Sequence, residues 1–147
     1  MYVDSNVIMQ VSIVVRDIEK TARNIAEMFN VEKPEMFYLS KFGDTYAEYY
    51  GVPTDTKMKL LVFRFGSVDF ELIEPDDKPS TFKKFLDEHG EGVHNIGVVV
   101  KDKEKALGYM KSKGIETRHW GSFPGGTYYH MDTEALIGVI LNIKHEE

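Results

Sequence analysis

The sequence predicts an α+β fold in which two β-α-β-β-β modules pair into one curled mixed sheet around a cleft, and three observations carry that prediction. The first is an internal repeat. Ile-Val-Val-Arg-Asp-Ile-Glu-Lys at 13–20 returns as Val-Val-Val-Lys-Asp-Lys-Glu-Lys at 98–105, which puts Asp17 and Asp102 85 positions apart. The second is the order of elements. Each copy reads as a β-branched strand that stops at an aspartate and turns into an amphipathic helix, after which strands follow one another through short turns. One helix per module disfavours a doubly wound parallel sheet, whose strands need repeated helical crossovers. The third is length, because 147 residues suit one ordinary domain and its two halves are each too small to bury a separate core. The reading is a single domain over residues 1–147: module 1 at about 5–75, a connector helix within about 76–92, and module 2 at about 93–145.

The elements follow in order. Residues 7–15 read as a strand, and Asp17 sits where an N-cap carboxylate accepts from the free N–H groups of the next turn. A helix then runs to about Asn30, burying the face made by Ile18, Ala22, Ile25, Ala26 and Phe29 at spacings of three and four. Residues 36–51 are aromatic, carry turn signals at Gly43 and Gly51, and read as one or two irregular strands. Residues 58–65 and 68–74, separated by Gly66-Ser67, make the clearest hairpin, which Pro75 ends. Ser80 caps a short helix with Phe82, Phe85 and Leu86 on one side and Gly90 as its stop. The second module repeats the plan: a strand at 94–100, the cap Asp102, a helix to about Lys113 with Gly114 behind it, then strands near 115–120, 127–132 and 138–144.

Composition excludes several function classes. With 42% hydrophobic and 29% charged residues, the longest apolar runs are of strand length, far below the roughly 18 to 20 residues of a membrane span. The first residues lack a basic segment followed by an apolar core, so a cytoplasmic location is expected. Cysteine is absent, which leaves carboxylate, imidazole, amide and phenol groups for any chemistry. A net charge of −6 without a Lys/Arg cluster argues against nucleic acid as a partner.

Strands alternate their faces, so polar residues inside apolar strands mark candidate sites. Gln10, Glu71, Asn95 and Asn142 stand out, and Gln10 and Asn95 are again 85 positions apart. If the modules pair about a pseudo-two-fold axis, these four side chains converge. Glu71 is the strongest candidate, because a carboxylate in a strand interior is costly unless paired or functional. The three amides have a plainer reading as interior groups bonded to one another or to backbone. His94 lies one step from Asn95 and faces the other way unless the strand is bulged. Alternation sends Tyr128 and His130 to one face and Tyr129 to the other, and Tyr129 is assigned to the pocket. Phe123-Pro-Gly-Gly126 reads as a loop able to close over a ligand.

Through Val15-Arg-Asp-Ile-Glu-Lys, Phe70-Glu-Leu-Ile-Glu-Pro75, His89-Gly-Glu-Gly-Val-His94 and Asp132-Thr-Glu-Ala-Leu-Ile-Gly-Val-Ile, the chain resembles the vicinal oxygen chelate superfamily over nearly its whole length. That superfamily comprises glyoxalases, bleomycin-resistance proteins and extradiol dioxygenases. The glyoxalase I and methylmalonyl-CoA epimerase branch is the most similar. The resemblance implies a small-molecule partner and a lyase or isomerase that moves a proton next to a carbonyl, with Glu71 as the catalytic base and Gln10, Asn95, Asn142 and Tyr129 in the substrate pocket. It also implies a divalent metal (Mg, Mn, Zn, Ni or Co) held at Gln10, Glu71, Asn95 and Asn142. The chain departs from the pattern where Asn95 replaces a usual histidine and Asn142 a usual glutamate. That loss argues against tight zinc or nickel binding, leaves room only for a weakly held Mg or Mn, and removes the second base of a two-base epimerisation. The expectation is a degenerate metal site, with metal-free sequestration of a small molecule, as in bleomycin-resistance proteins, as the alternative. Homodimers are frequent among similar proteins.

Overall fold

Both repeated aspartates cap helices. Asp17 accepts from the Lys20 backbone N–H at 3.1 Å and opens α1 (Ile18–Phe29), while Asp102 accepts from that of Lys105 at 3.0 Å and opens α3 (Lys103–Ser112). Each carboxylate satisfies an N–H that the first turn leaves without a partner. Asn30 takes the left-handed conformation that ends α1 (φ 51°). Between the two helices lies α2 (Thr81–His89), capped by Ser80, whose hydroxyl accepts from the Lys83 N–H at 3.0 Å.

The computed structural model describes residues 3–147; Met1 and Tyr2, which the sequence reading includes in the domain, lie outside them. Among the described residues nine strands form one curled, open mixed sheet. They are β1 (Gln10–Val14), β2 (Tyr46–Tyr49), β3 (Val52–Pro53), β4 (Lys59–Phe65), β5 (Val68–Glu74), β6 (Gly92–Val99), β7 (Thr117–Phe123), β8 (Gly126–Met131) and β9 (Ile140–Glu146). Their order is β3-β2-β7-β8-β9-β6-β1-β5-β4. The repeated strands β1 and β6 meet antiparallel at the middle, and each continues outward into a parallel neighbour, β5 beside β1 and β9 beside β6.

Alternation along β1 separates two packed layers. Ile13 and Val15 face α1, where Ile18 and Ala22 pack with Leu61, Phe63 and Leu72. The equivalent layer in the second half joins Ala106 and Met110 of α3 to Val98, Val100, Met131 and Ile143. Val14 faces the opposite, inner side, where Phe82 and Leu86 of α2 pack with Met58, Leu60 and Ile73. Each large side chain so buried contributes about 1.5–3 kcal/mol. The connector helix thus plugs one end of the concave face and leaves the rest open.

The first half departs from a plain β-α-β-β-β order. Only an isolated Phe37–Leu60 bridge extends the sheet past β4, and residues Leu39–Phe42 form a 3-10 turn. The chain then crosses the mouth of the cleft, so that β2 pairs antiparallel with β7 of the second half. Aromatic contacts hold it there: the Tyr46 ring lies 5.4 Å from Trp120 and the Tyr49 ring 6.1 Å from His119. A short helix, α4 (Glu134–Ile137), joins β8 to β9.

Candidate functional site

The floor of the concave face is a polar network built from three adjacent strands. Gln10 on β1 lies opposite Asp69 of β5 and Gly97 of β6, and Ser12 lies opposite Glu71 and Asn95. Gln10 Nε2 donates to Glu71 Oε1 at 2.8 Å, and the Ser12 hydroxyl donates to the same oxygen at 3.1 Å. On its other side Gln10 Oε1 accepts from Lys144 Nζ of β9 at 2.9 Å. Glycine at 97 makes this possible, because a Cβ there would meet Gln10 Cβ at 3.0 Å and Oε1 at 3.2 Å. Burial in the cleft wall pushes the Glu71 carboxyl above its ordinary range, against the opposing pull of the Lys144 charge and the two hydrogen bonds.

Above the floor is a cavity of about 390 Å³. Gln10, Asp69, Glu71, Asn142, Lys144 and His130 supply its polar groups. Its walls are apolar: Leu60 and Val62 from β4, Phe82 from α2, Phe37 and Phe42 beside the 3-10 turn, and Phe123 and Pro124 from the β7–β8 turn. The Tyr128 ring occupies the space a side chain at Gly121 would need, since a Cβ there would sit on the Tyr128 hydroxyl. Burial, with the Glu71 charge, holds that phenol protonated well past its ordinary range. Asn142 and His130 are buried, and Asn142 Oδ1 and His130 Nδ1 have no hydrogen-bond partner among the described residues. A second cavity of about 260 Å³ adjoins the first through Leu39, Met58 and Tyr128.

Of the residues singled out from sequence, Gln10, Glu71 and Asn142 line this cavity. Two pocket assignments need correction. Asn95 does not line it: the residue is buried, and its amide lies 2.9 Å from His94 Nδ1. Tyr129 stacks on Trp120 and packs with the α3 layer on the opposite face, because alternation turns it away from Tyr128 and His130. The strand is bulged at His94, since Ser12 pairs with Asn95 while Ile13 pairs with Val93. The bulge brings His94 to the inner side, where its Nε2 lies 3.1 Å from the Thr81 hydroxyl and its ring 5.3 Å from that of His130. Ser12, Lys144, Tyr128 and His130 were not named as site residues. Stepping by two from Gln10, Asn142 and His130 along their strands reaches the first three of them.

A divalent ion does not fit these donors. The Gln10 oxygen that would bind it accepts from an ammonium, Asn95 is turned to His94, and among the described residues no three His, Cys, Asp or Glu side chains converge on one point. Positive charge in the cleft comes from Lys144 instead.

Comparisons with known proteins agree with this architecture. Residues 9–129 match the family model described as Glyoxalase/Bleomycin resistance protein/Dioxygenase superfamily. No curated protein matches the sequence. Among solved structures, methylmalonyl-CoA epimerase from Mycobacterium tuberculosis superposes with a TM-score of 0.66 at 15% identity, covering 100% of this chain and 92% of that one. A hypothetical protein from Bacillus halodurans C-125 gives 0.68 at 21% identity, covering 97% and 96%. A Streptomyces coelicolor methylmalonyl-CoA epimerase variant in complex with 2-nitronate-propionyl-CoA gives 0.63 at 17% identity, covering 95% and 96%.

Proposed function

The chain belongs to the glyoxalase, bleomycin resistance protein and dioxygenase superfamily, and from that premise we propose that its cleft moves a proton at a carbon next to a carbonyl, as an isomerase or lyase of small molecules. The observation that carries this reading is Glu71, a carboxylate with a raised pKa on the floor of a largely apolar cavity. Gln10 and Ser12 both bond Oε1 and so orient the group, leaving Oε2 as the basic oxygen. Oε2 takes the proton, the C–H electron pair moves toward the carbonyl, and an enolate forms whose charge rests on the carbonyl oxygen. Return of the proton from Glu71 restores a C–H bond.

A single base returns the proton on the side from which it left. Asp69, the other carboxylate lining the cavity, is tied to Arg64 at 2.6 Å. This favours transfer between neighbouring carbons over inversion of a stereocentre, and so a glyoxalase-type outcome over a two-base epimerisation. The nitronate bound by the Streptomyces coelicolor neighbour is a planar anion of the same kind as an enolate, which supports an acyl thioester or hemithioacetal as substrate class. The adjoining cavity offers room for the remainder of such a molecule.

The test is carbon-bound hydrogen exchange in D2O, followed by NMR on a panel of hemithioacetals and acyl-CoA thioesters with metal-free protein. Exchange with wild type that disappears in Glu71→Gln supports the reading. Absence of exchange across the panel sinks it. The aromatic and aliphatic walls favour one second reading, sequestration of an apolar compound without turnover. In that case aromatic ligands raise the melting temperature equally in wild type and Glu71→Gln, and no exchange is seen.

A further inference from the structure

We propose that Lys144 is the built-in cation of this cleft and that its substrates are carbonyl compounds carrying an anionic oxygen, such as a carboxylate, which the ammonium binds; this deepens the proton-transfer reading and rests on it. The argument begins with position. Lys144 lies two residues beyond Asn142 on β9, directly opposite Tyr128 of β8, so all three side chains share the inner face. Its Nζ crosses the cleft floor to Gln10 Oε1 at 2.9 Å, reaching the network that holds Glu71.

The second step is charge. An ammonium has three N–H donors, and Gln10 takes one of them. Among the described residues Lys144 makes no ion pair, as is true of several surface lysines, but Lys144 is the lysine that lines this cavity. Of the two carboxylates on the cavity wall, Asp69 is neutralised by Arg64. Glu71 is held by Gln10 and Ser12 and makes no ion pair with Lys144 among the described residues. The cation therefore faces the cavity with donors to spare and no permanent counter-charge in contact. A half-buried ammonium in such surroundings binds an anion through charge-assisted hydrogen bonds, which are about twice as strong as neutral ones. It also stands on the Gln10 oxygen that a metal ion would need, so the positive charge on this floor is the ammonium's.

The third step is the match between cavity and ligand. Lys144 and Glu71 lie on the polar floor, while the opposite wall is aromatic. A ligand that satisfies all of these has an anion at one end, an acidic C–H beside a carbonyl at its centre, and an apolar body.

Phenylpyruvate has those three parts, and its methyl ester lacks only the anion, so the pair serves as probe. Binding is followed by the side-chain amide NMR signals of Gln10 and Asn142 in wild type, Lys144→Met and Lys144→Arg. The acid should bind wild type at least about tenfold tighter than the ester, lose that advantage in Lys144→Met and keep most of it in Lys144→Arg. Ester affinity should be the same in all three, which controls for folding and for the apolar wall. Acid that fails to bind, binds no tighter than the ester, or binds Lys144→Met as well as wild type overturns the proposal. Deuterium exchange at the phenylpyruvate methylene separates it from the proton-transfer reading. Exchange that persists while the acid ignores Lys144 refutes the cation's role alone, and Lys144-dependent binding without exchange refutes proton transfer alone.

Discussion

Glu71→Gln tests two properties of one side chain, because the substitution preserves the oxygen that accepts from Gln10 and Ser12 while removing the charge. Carbon-bound exchange should fall by at least about a hundredfold, the usual scale for losing a general base. Stability should move the other way. A carboxyl whose pKa is raised by folding contributes stability that is fully present below its unfolded value near 4.5 and lost as pH rises through its folded value. The variant should therefore melt higher than wild type at pH 8 and at the same temperature at pH 4, which scanning calorimetry checks. Gly97→Ala should act on the same network from behind, since its methyl needs the space of Gln10; ligand affinity should fall while the circular dichroism spectrum is kept. At this scale the sequence placed Gln10, Glu71 and Asn142 on the face where they line the cavity, because period-two alternation in an apolar strand reports which face a polar residue takes. It missed Lys144, since a lysine in a strand reads as a solvated charge, and nothing local shows that it reaches across to Gln10.

At the level of elements, local signals were the legible ones. Asp17, Ser80 and Asp102 cap the helices that their sequence positions predict, and the Gly66-Ser67 turn joins the expected hairpin. Asp17→Ala and Asp102→Ala should each cost about 1 kcal/mol. Because the two caps belong to helices on different halves of the sheet, the double variant should lose the sum, measured as the shift in urea midpoint. Less legible was the bulge at His94. An extra residue in β6 reverses the face that alternation assigns to His94, and no glycine or proline at that point announces it. The destination of β2 was also hidden, because pairing between residues 46–49 and 119–122 depends on the curvature of the whole sheet and not on either segment.

For the molecule as a whole, the inner face carries a reserve of acid sensitivity. Burial lowers His94 to about 3 and His119 to about 4, and takes His130 well below 6.5 with help from the charges of its two histidine neighbours. Groups with depressed folded pKa values contribute stability that is complete above the unfolded value near 6.5 and lost as pH falls toward the folded ones. Protonating any of the three within that window should cost stability. Glu71 works in the opposite direction, as a single group. The urea midpoint should therefore drop steeply between pH 7 and pH 5, and a flat profile there would show that the imidazoles are already solvated. The crossing of β2 onto β7 has a further consequence, for a chain still being made. A nascent chain that has released β5 displays Gln10, Glu71 and β2, but β7, Asn142 and Lys144 lie further along the chain and have yet to join them. Ligand capture thus becomes available only once β9 has joined the sheet, and chains terminated before it should be inert instead of partly active.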